Sequence, residues 1–312
     1  MIFPIAIFLI GILLIVYFSE KLVEATVGTS IAFSISSFLI SVIVIGFDLE
    51  NLGLGVVASY EGVSGIAVGT IIGSAMVAVG LALGITALVA PMKFKKVPMQ
   101  ISLIPVGAVL LFGTLSFDGQ LSRIDGVILL LGYIAAIWYL IYLAQRGIDV
   151  RSTGEVAEVL EEGKELSRLQ AIMMLAGSLV AIVVGSEWVL WASRELMGGL
   201  GLSDTLFGMT VIALLVSIEE VARELPAALK GRPEITFGNI VGSVLAFFLC
   251  NAGIIALVNP VPITNEVFNF YLPFSLGIVL FVTLLMIKKS IPRWAGALLV
   301  LGYLVFFVRG YW

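Results

Sequence analysis

Gly69-Thr70-Ile71-Ile72-Gly73-Ser74 returns as Gly238-Asn239-Ile240-Val241-Gly242-Ser243, and the same offset of 169 residues carries Ala87-Leu88-Val89-Ala90-Pro91 onto Ala256-Leu257-Val258-Asn259-Pro260. It also carries Glu50 onto Glu219, Ser41 onto Thr210 and Val42 onto Val211. Apolar helices resemble one another by chance, but one ungapped register through Gly, Ser, Pro and a glutamate inside an apolar run marks a real internal repeat. The chain is therefore to be read as two copies of one unit.

Outward from these motifs, runs apolar enough to cross about 30 Å of hydrocarbon lie near 2–18, 35–58, 64–90, 101–117 and 124–143 in the first half. Five more lie near 170–191, 203–229, 235–258, 267–287 and 292–310 in the second. Between them stands one sizeable hydrophilic stretch, from Arg146 to Arg168. There Glu155, Glu158, Glu161, Glu162 and Glu165 interleave with Lys164, the pattern of a solvated connector rather than of a binding site. The 312 residues are 60% hydrophobic and 12% charged, with a mean hydropathy of +1.16. A soluble domain carries roughly 25% charged residues, so a water-soluble fold is excluded. The N-terminal run has no basic region before it and no small-residue cleavage site after it, so it reads as a first span rather than a signal peptide. The expected fold is an all-α integral membrane protein of ten transmembrane helices in two five-helix units, residues 1–145 and 170–312, joined by a connector at 146–169.

Charge placement sets the expected orientation. With the N-terminus outside, thirteen basic residues fall in inner loops: Lys21, Lys93, Lys95, Lys96, Arg146, Arg151, Lys164, Arg168, Lys230, Arg232, Lys288, Lys289 and Arg293. Only Arg123, Arg194 and Arg309 fall outside, and Arg223 sits within a span. By the positive-inside rule the connector is cytoplasmic and both termini are extracytoplasmic, in the cell membrane. An odd number of spans per half makes the two halves face opposite ways, the inverted-repeat plan of transporters whose sites lie at the repeat interface.

The net charge of -4 implies no nucleic-acid partner, and the partners expected are the lipid bilayer and inorganic cations; oligomeric state is not readable. The chain has no histidine and a single cysteine, Cys250. That removes disulfides, thiolate metal clusters, Ser-His-Asp triads and zinc-dependent intramembrane proteolysis. An intramembrane aspartyl hydrolase would need motifs that the acids here do not form. No enzyme and no resident cofactor are expected.

Whatever chemistry remains rests on carboxylates. Asp48 and Glu50 lie in the second span, and Glu219, Glu220, Arg223 and Glu224 in the seventh. An ionised side chain at the centre of a bilayer costs at least about 2.5 kcal/mol, so such a cluster needs a wet cavity, mutual pairing or a bound cation. Arg223 can reach Glu219 (i, i+4) or Glu220 (i, i+3), yet one guanidinium offsets one carboxylate and leaves four. These bind cations or protons, or face water. Gly46, Gly53 and Gly55 flank the acids of the second span and offer either a helix break that exposes carbonyls to an ion or close helix packing. Gly69 and Gly73, spaced as G-x-x-x-G, suit packing. Ser74 and Ser243, at matching places, offer hydroxyl ligands. These are hard oxygen donors, suited to Na⁺, Ca²⁺, Mg²⁺ or Mn²⁺.

The whole pattern resembles the sodium/calcium exchanger family of the cation/calcium antiporter superfamily, as a divergent member. The resemblance covers nearly the whole chain and is most specific at residues 238–243. In that family each repeat carries G-[NT]-S-x-P-E, whose Ser, Thr and Glu coordinate cations. The matching stretches here are Gly46-Phe47-Asp48-Leu49-Glu50-Asn51 and Leu215-Val216-Ser217-Ile218-Glu219-Glu220. The family Glu is kept as Glu220 and becomes Asn51; the family Ser is kept as Ser217 and becomes Asp48; the family Pro becomes Glu50 and Glu219. Positions where the family places Asn or Asp ligands are Ala78 and Phe247.

The resemblance implies a secondary active antiporter exchanging Ca²⁺ or a similar divalent cation for Na⁺ or H⁺ by alternating access. The expected cation ligands are Asp48, Glu50, Asn51, Ser74, Ser217, Glu219, Glu220 and Ser243, with Arg223 and Glu224 tuning the charge. The alternative is a non-transporting scaffold or regulator with the same fold, its site locked by Arg223. Glu50 and Glu219, being repeat equivalents, are expected to approach one another.

Overall fold

A computed structural model describes residues 2–32, 48–94, 98–145, 168–231, 233–309 and 311. The connector at 146–167 lies outside the described residues, as do Gly46, Ser41 and Val42. Helices account for nearly all of what is described: α1 (Ile2–Ala32), α2 (Leu49–Tyr60), α3 (Ser64–Val89), α4 (Met99–Leu115), α5 (Arg123–Gln145) and α6 (Arg168–Leu200). They continue as α7 (Asp204–Ser217), α8 (Glu219–Leu229), α9 (Ile235–Val258), α10 (Val267–Ile287) and α11 (Arg293–Arg309). Six of them are long and apolar enough to cross a membrane, and α7 and α8, bent by 48° at their break, add a seventh when the pair is taken as one span. The remaining expected spans are represented by shorter helices: α2, whose preceding residues are not described, the 17-residue α4, and α11.

The helices sort into an inner and an outer set. In α3 and α9, which carry the repeated glycine motifs, 94% and 89% of the apolar window is buried, against 28% in both α1 and α6. Apolar residues such as Leu9, Leu13, Leu179 and Val180 are exposed on that outer pair, a surface that only hydrocarbon solvates without cost. Both outer helices run longer than their apolar cores. Lys21 therefore lies on α1 rather than in a loop, ion-paired with Glu24 at 2.6 Å; the stretch after Phe18 is rich in good helix formers and has no proline to stop it.

Inner helices approach to backbone contact. A Cβ on Gly69 would lie 2.3 Å from the carbonyl carbon of Gly208, and one on Gly208 would lie 2.6 Å from the oxygen of Gly65. The G-x-x-x-G run thus joins α3 to α7 as a packing face. The second-span glycines do the same work. α2 passes through Gly53 and Gly55 as regular helix, and Cβ atoms there would meet Ile182 and Ile255 at 2.4 Å. Asp48, which caps α2, has non-helical dihedrals, φ -91° and ψ 89°.

Repeat symmetry is visible in the structure. A π-helical stretch at Val77–Ala82 within α3 has its counterpart, at the 169-residue offset, in Ala246–Asn251 within α9; such stretches distort the ladder of a helix where a side chain must be re-aimed. Two short antiparallel ladders tie the halves together. β1 (Met92–Lys93) pairs with β4 (Ser290–Ile291), and β2 (Gln120–Leu121) pairs with β3 (Val261–Pro262). One helix, α4, separates β1 from β2, and one helix, α10, separates β3 from β4, so the two ladders cap opposite ends of the bundle.

Candidate functional site

The site is built where α2 begins and where α7 gives way to α8, at equivalent places in the two repeats. Asp48 caps the N-terminus of α2, its Oδ1 accepting hydrogen bonds from the backbone N–H and the side-chain Nδ2 of Asn51, both at 2.9 Å. The chain in the other half bends between Ser217, the last residue of α7, and Glu219, the first of α8. Ser217 occupies the repeat position of Asp48.

Asn51 joins these two places. Its Nδ2 also donates to Ser217 Oγ at 2.9 Å, and its Oδ1 accepts from Ser74 Oγ of α3 at 2.5 Å. The second half repeats the arrangement with a carboxylate in place of the amide: Ser243 Oγ of α9 donates to Glu220 Oε1 at 3.2 Å. Asn51, Ser74, Ser217 and Glu220 are buried, as are Asp48 and Glu224. The structure therefore brings together Asp48, Asn51, Ser74 and Ser217, and beside them Glu220 and Ser243, from five helices, α2, α3, α7, α8 and α9.

Glu50 and Glu219 belong to a neighbouring group centred on Arg223. Its Nη2 lies 2.7 Å from Glu219 Oε1 and 4.0 Å from Glu50 Oε1, and its Nη1 lies 3.8 Å from Glu220 Oε1. The two repeat-equivalent glutamates thus do approach, meeting on one guanidinium. Ser19 of α1 hydrogen-bonds Glu50 as well, so α1, α2 and α8 are tied at this point. Both sequence-based options for Arg223 are realised, with Glu219 the nearer partner.

Two asparagines complete the polar interior. Asn239, part of the repeated motif, donates from Nδ2 to Glu220 Oε2 at 2.7 Å and to Glu224 Oε1 at 3.4 Å. Asn251, assigned no role from sequence, is fully buried; its Nδ2 lies 3.4 Å from the backbone oxygen of Asp48, and its Oδ1 has no partner. A signal was present: residues 239, 243, 247 and 251 recur every four positions and so share one face of α9. Phe247, fully buried, interrupts that stripe.

Chemically, this interior offers carboxylate, amide and hydroxyl oxygens, several with a lone pair uncommitted: Asp48 Oδ2, Glu224 Oε2 and Asn251 Oδ1 have no hydrogen-bond partner. Such donors suit hard cations held without thiolate or imidazole. Among the described residues, no group of three or more Asp, Glu, His or Cys stands within metal-holding distance, so hydroxyls and amides have to supply much of any coordination shell.

Residues 3–142 and 170–312 match the sodium/calcium exchanger protein family. Similar proteins include the inner membrane protein YrbG of Escherichia coli, 29% identical over 98% of this chain and 96% of its own. The sodium/calcium exchanger MaX1 of Methanosarcina acetivorans is 26% identical over 97% of both chains. A structure of the sodium-calcium exchanger NCX_Mj, soaked with Na⁺ and Ca²⁺, superposes with a TM-score of 0.62 at 25% identity, covering 98% of this chain and 97% of that one.

Proposed function

This chain belongs to the sodium/calcium exchanger protein family, and from that membership and the polar interior we infer that it is a multi-pass membrane antiporter moving Ca²⁺ or a similar hard divalent cation against Na⁺ or H⁺ by alternating access. The observation that carries this reading is the Asn51 junction. One amide bonds residues of both halves, Asp48 at the start of α2 and Ser217 at the end of α7. A cation bound there draws ligands from both repeats, so its arrival or departure bears on how the halves sit against each other.

Asp48, Asn51, Ser74, Ser217, Glu220 and Ser243 are the proposed cargo ligands. Glu50 and Glu219 stand beside them as carboxylates already engaged by Arg223, with Glu224 adding charge one turn from Glu220. The proposed orientation is that given by the basic residues: cell membrane, both termini extracytoplasmic, the connector cytoplasmic, and units 1–145 and 170–312 inverted with respect to each other. Burying several carboxylates in a low dielectric makes protons direct competitors for cation ligands, which leaves Na⁺ and H⁺ both open as the counter-ion.

Purified protein in liposomes, given an outward Na⁺ gradient or a proton gradient in separate experiments, tests this. Radiolabelled Ca²⁺ uptake driven by one of the gradients and lost in Glu220→Gln is the expected result. No driven uptake under either gradient, with no cation raising the melting temperature, overturns the antiporter reading in favour of the scaffold.

A further inference from the structure

The Glu224–Asn239 pair lies to one side of the junction just described. Glu224 follows Glu220 by one helical turn on α8, and Asn239 precedes Ser243 by one turn on α9. Since α8 and α9 are consecutive and joined near residues 230–233, both displacements run toward the same end of the bundle. There, the single nitrogen Asn239 Nδ2 stands between two carboxylates, 2.7 Å from Glu220 and 3.4 Å from Glu224. It occupies the place that a shared cation takes between two acids.

Arg223 Nη1 lies 3.8 Å from Glu220 Oε1, but among the described residues nothing charged completes the arrangement at Glu224. Glu224 is 1% exposed and its Oε2 has no partner. Among the described residues no Lys or Arg is ion-paired with it; the adjacent Arg223 turns instead to Glu219, at 2.7 Å. An amide N–H supplies a hydrogen bond but no charge, and with one guanidinium shared among Glu50, Glu219 and Glu220 the buried Glu220–Glu224 pair stays under-neutralised in low dielectric.

The internal repeat provides a built-in control. The 169-residue offset places Glu224 on Gly55 and Asn239 on Thr70. In that half the equivalent space is full: a Cβ on Gly55 would come within 2.4 Å of Ile255 Cδ1 and 2.6 Å of Thr70 Oγ1, and the Thr70 hydroxyl is turned to its own helix at Ala67 O, 2.8 Å. The acid pair is therefore not a by-product of duplication but an addition at one end only.

We propose that Glu220, Glu224 and Asn239 form a second site for a hard divalent cation, one helical turn from the Asn51 junction toward the 230–233 loop, where cargo is held between that end of the protein and the central ligands. This rests on the antiporter reading. On binding, the Asn239 amide turns over to present Oδ1 in place of Nδ2. Together with the carboxylate oxygens and Ser243 Oγ this makes an all-oxygen shell of the kind Ca²⁺ takes.

Equilibrium binding of ⁴⁵Ca²⁺ to the purified full chain in nanodiscs, alongside the liposome uptake assay, decides it. Wild type is expected to bind two equivalents, Glu224→Gln and Asn239→Leu one each, and Glu224→Asp, which keeps the carboxylate, two. Because the two losses come from different helices, misfolding of one variant leaves the other to decide. Unchanged stoichiometry and affinity in both overturn the second site while leaving the antiporter reading intact, provided that wild type binds and transports Ca²⁺. A wild type that neither binds nor transports any divalent cation overturns both.

Discussion

Arg223 places a permanent positive charge between two glutamates that the sequence repeat makes equivalent. A guanidinium does not lose its proton in a protein, so Glu219, at 2.7 Å, and Glu50, at 4.0 Å, have an internal cation whatever the ion gradient. Its own repeat position holds Leu54, which is fully buried and apolar; the device therefore exists once, not twice. Arg223→Met removes the charge and keeps most of the length. With the tethered cation gone, the freed carboxylates are expected to bind a divalent cation more tightly at pH about 8, and protons to compete more strongly at pH about 6, so affinity rises at the higher pH and its pH dependence steepens. Stability is expected to fall by roughly 1–3 kcal/mol as buried acceptors lose their donor. Calcium titrations of both proteins at the two pH values check this. A loss of stability with affinity and pH dependence unchanged makes Arg223 a structural partner only.

Among the described residues, Gly53 and Gly55 lie within continuous helix, and the site's helix ends are set by a cap at Asp48 and a bend at Ile218. Sequence reading left Gly53 and Gly55 with two roles, and the structure gives them to packing, because α2 runs through both and Ile182 and Ile255 fill the space where their side chains would be. α2 instead starts at Asp48, whose short carboxylate accepts the backbone N–H of Asn51, and the other half bends at Ile218 between α7 and α8. The small residues elsewhere set how closely elements approach. Gly69→Ala forces a methyl group toward the Gly208 backbone, 2.3 Å from the ideal Cβ position, and is expected to cost about 1–3 kcal/mol, read as a lowered melting temperature. Gly107→Ala, where a Cβ meets nothing within 4 Å, is the matched control and is expected to leave it unchanged or slightly raised. Equal behaviour of the two removes the packing role assigned to the α3–α7 contact.

Across the whole molecule, the two β-ladders fix which loops share an end. Met92–Lys93 and Ser290–Ile291 lie together at one end, Gln120–Leu121 and Val261–Pro262 at the other. Lys93, Lys288, Lys289 and Arg293 cluster around the first ladder, whereas Arg123 alone adjoins the second, so the positive-inside rule assigns the first to the cytoplasm. Cysteines at Asp118 and Lys288, both exposed beside opposite ladders, test this directly; the native Cys250 is buried and gives little background. Asp118→Cys is expected to react with an impermeant maleimide added to intact cells, and Lys288→Cys only after the membrane is opened. The reverse pattern inverts the orientation of the protein and with it the side to which the Glu224 site belongs.

By itself the sequence determined that the chain lives in a membrane, that its two halves carry one repeated motif in a single register, and that the ionisable residues of its second and seventh apolar runs are Asp48, Glu50, Glu219, Glu220, Arg223 and Glu224. These are one-dimensional properties: hydropathy averaged over a span, a constant offset, and the cost of charge inside an apolar run. It also named Ser74 and Ser243, because equivalent positions can be aligned without knowing what they touch. Only the tertiary structure decided the partners. Asn51 bonding Ser217, Arg223 turning to Glu219 with Glu50 beyond it, Asn239 standing between two acids and Asn251 against Asp48 all depend on how helices far apart in sequence are rotated and spaced against one another. Helical periodicity gives the face on which a side chain lies, but the neighbour across that face is chosen by close packing at contacts such as Gly69 on Gly208, where hundreds of weak contacts act together rather than any motif.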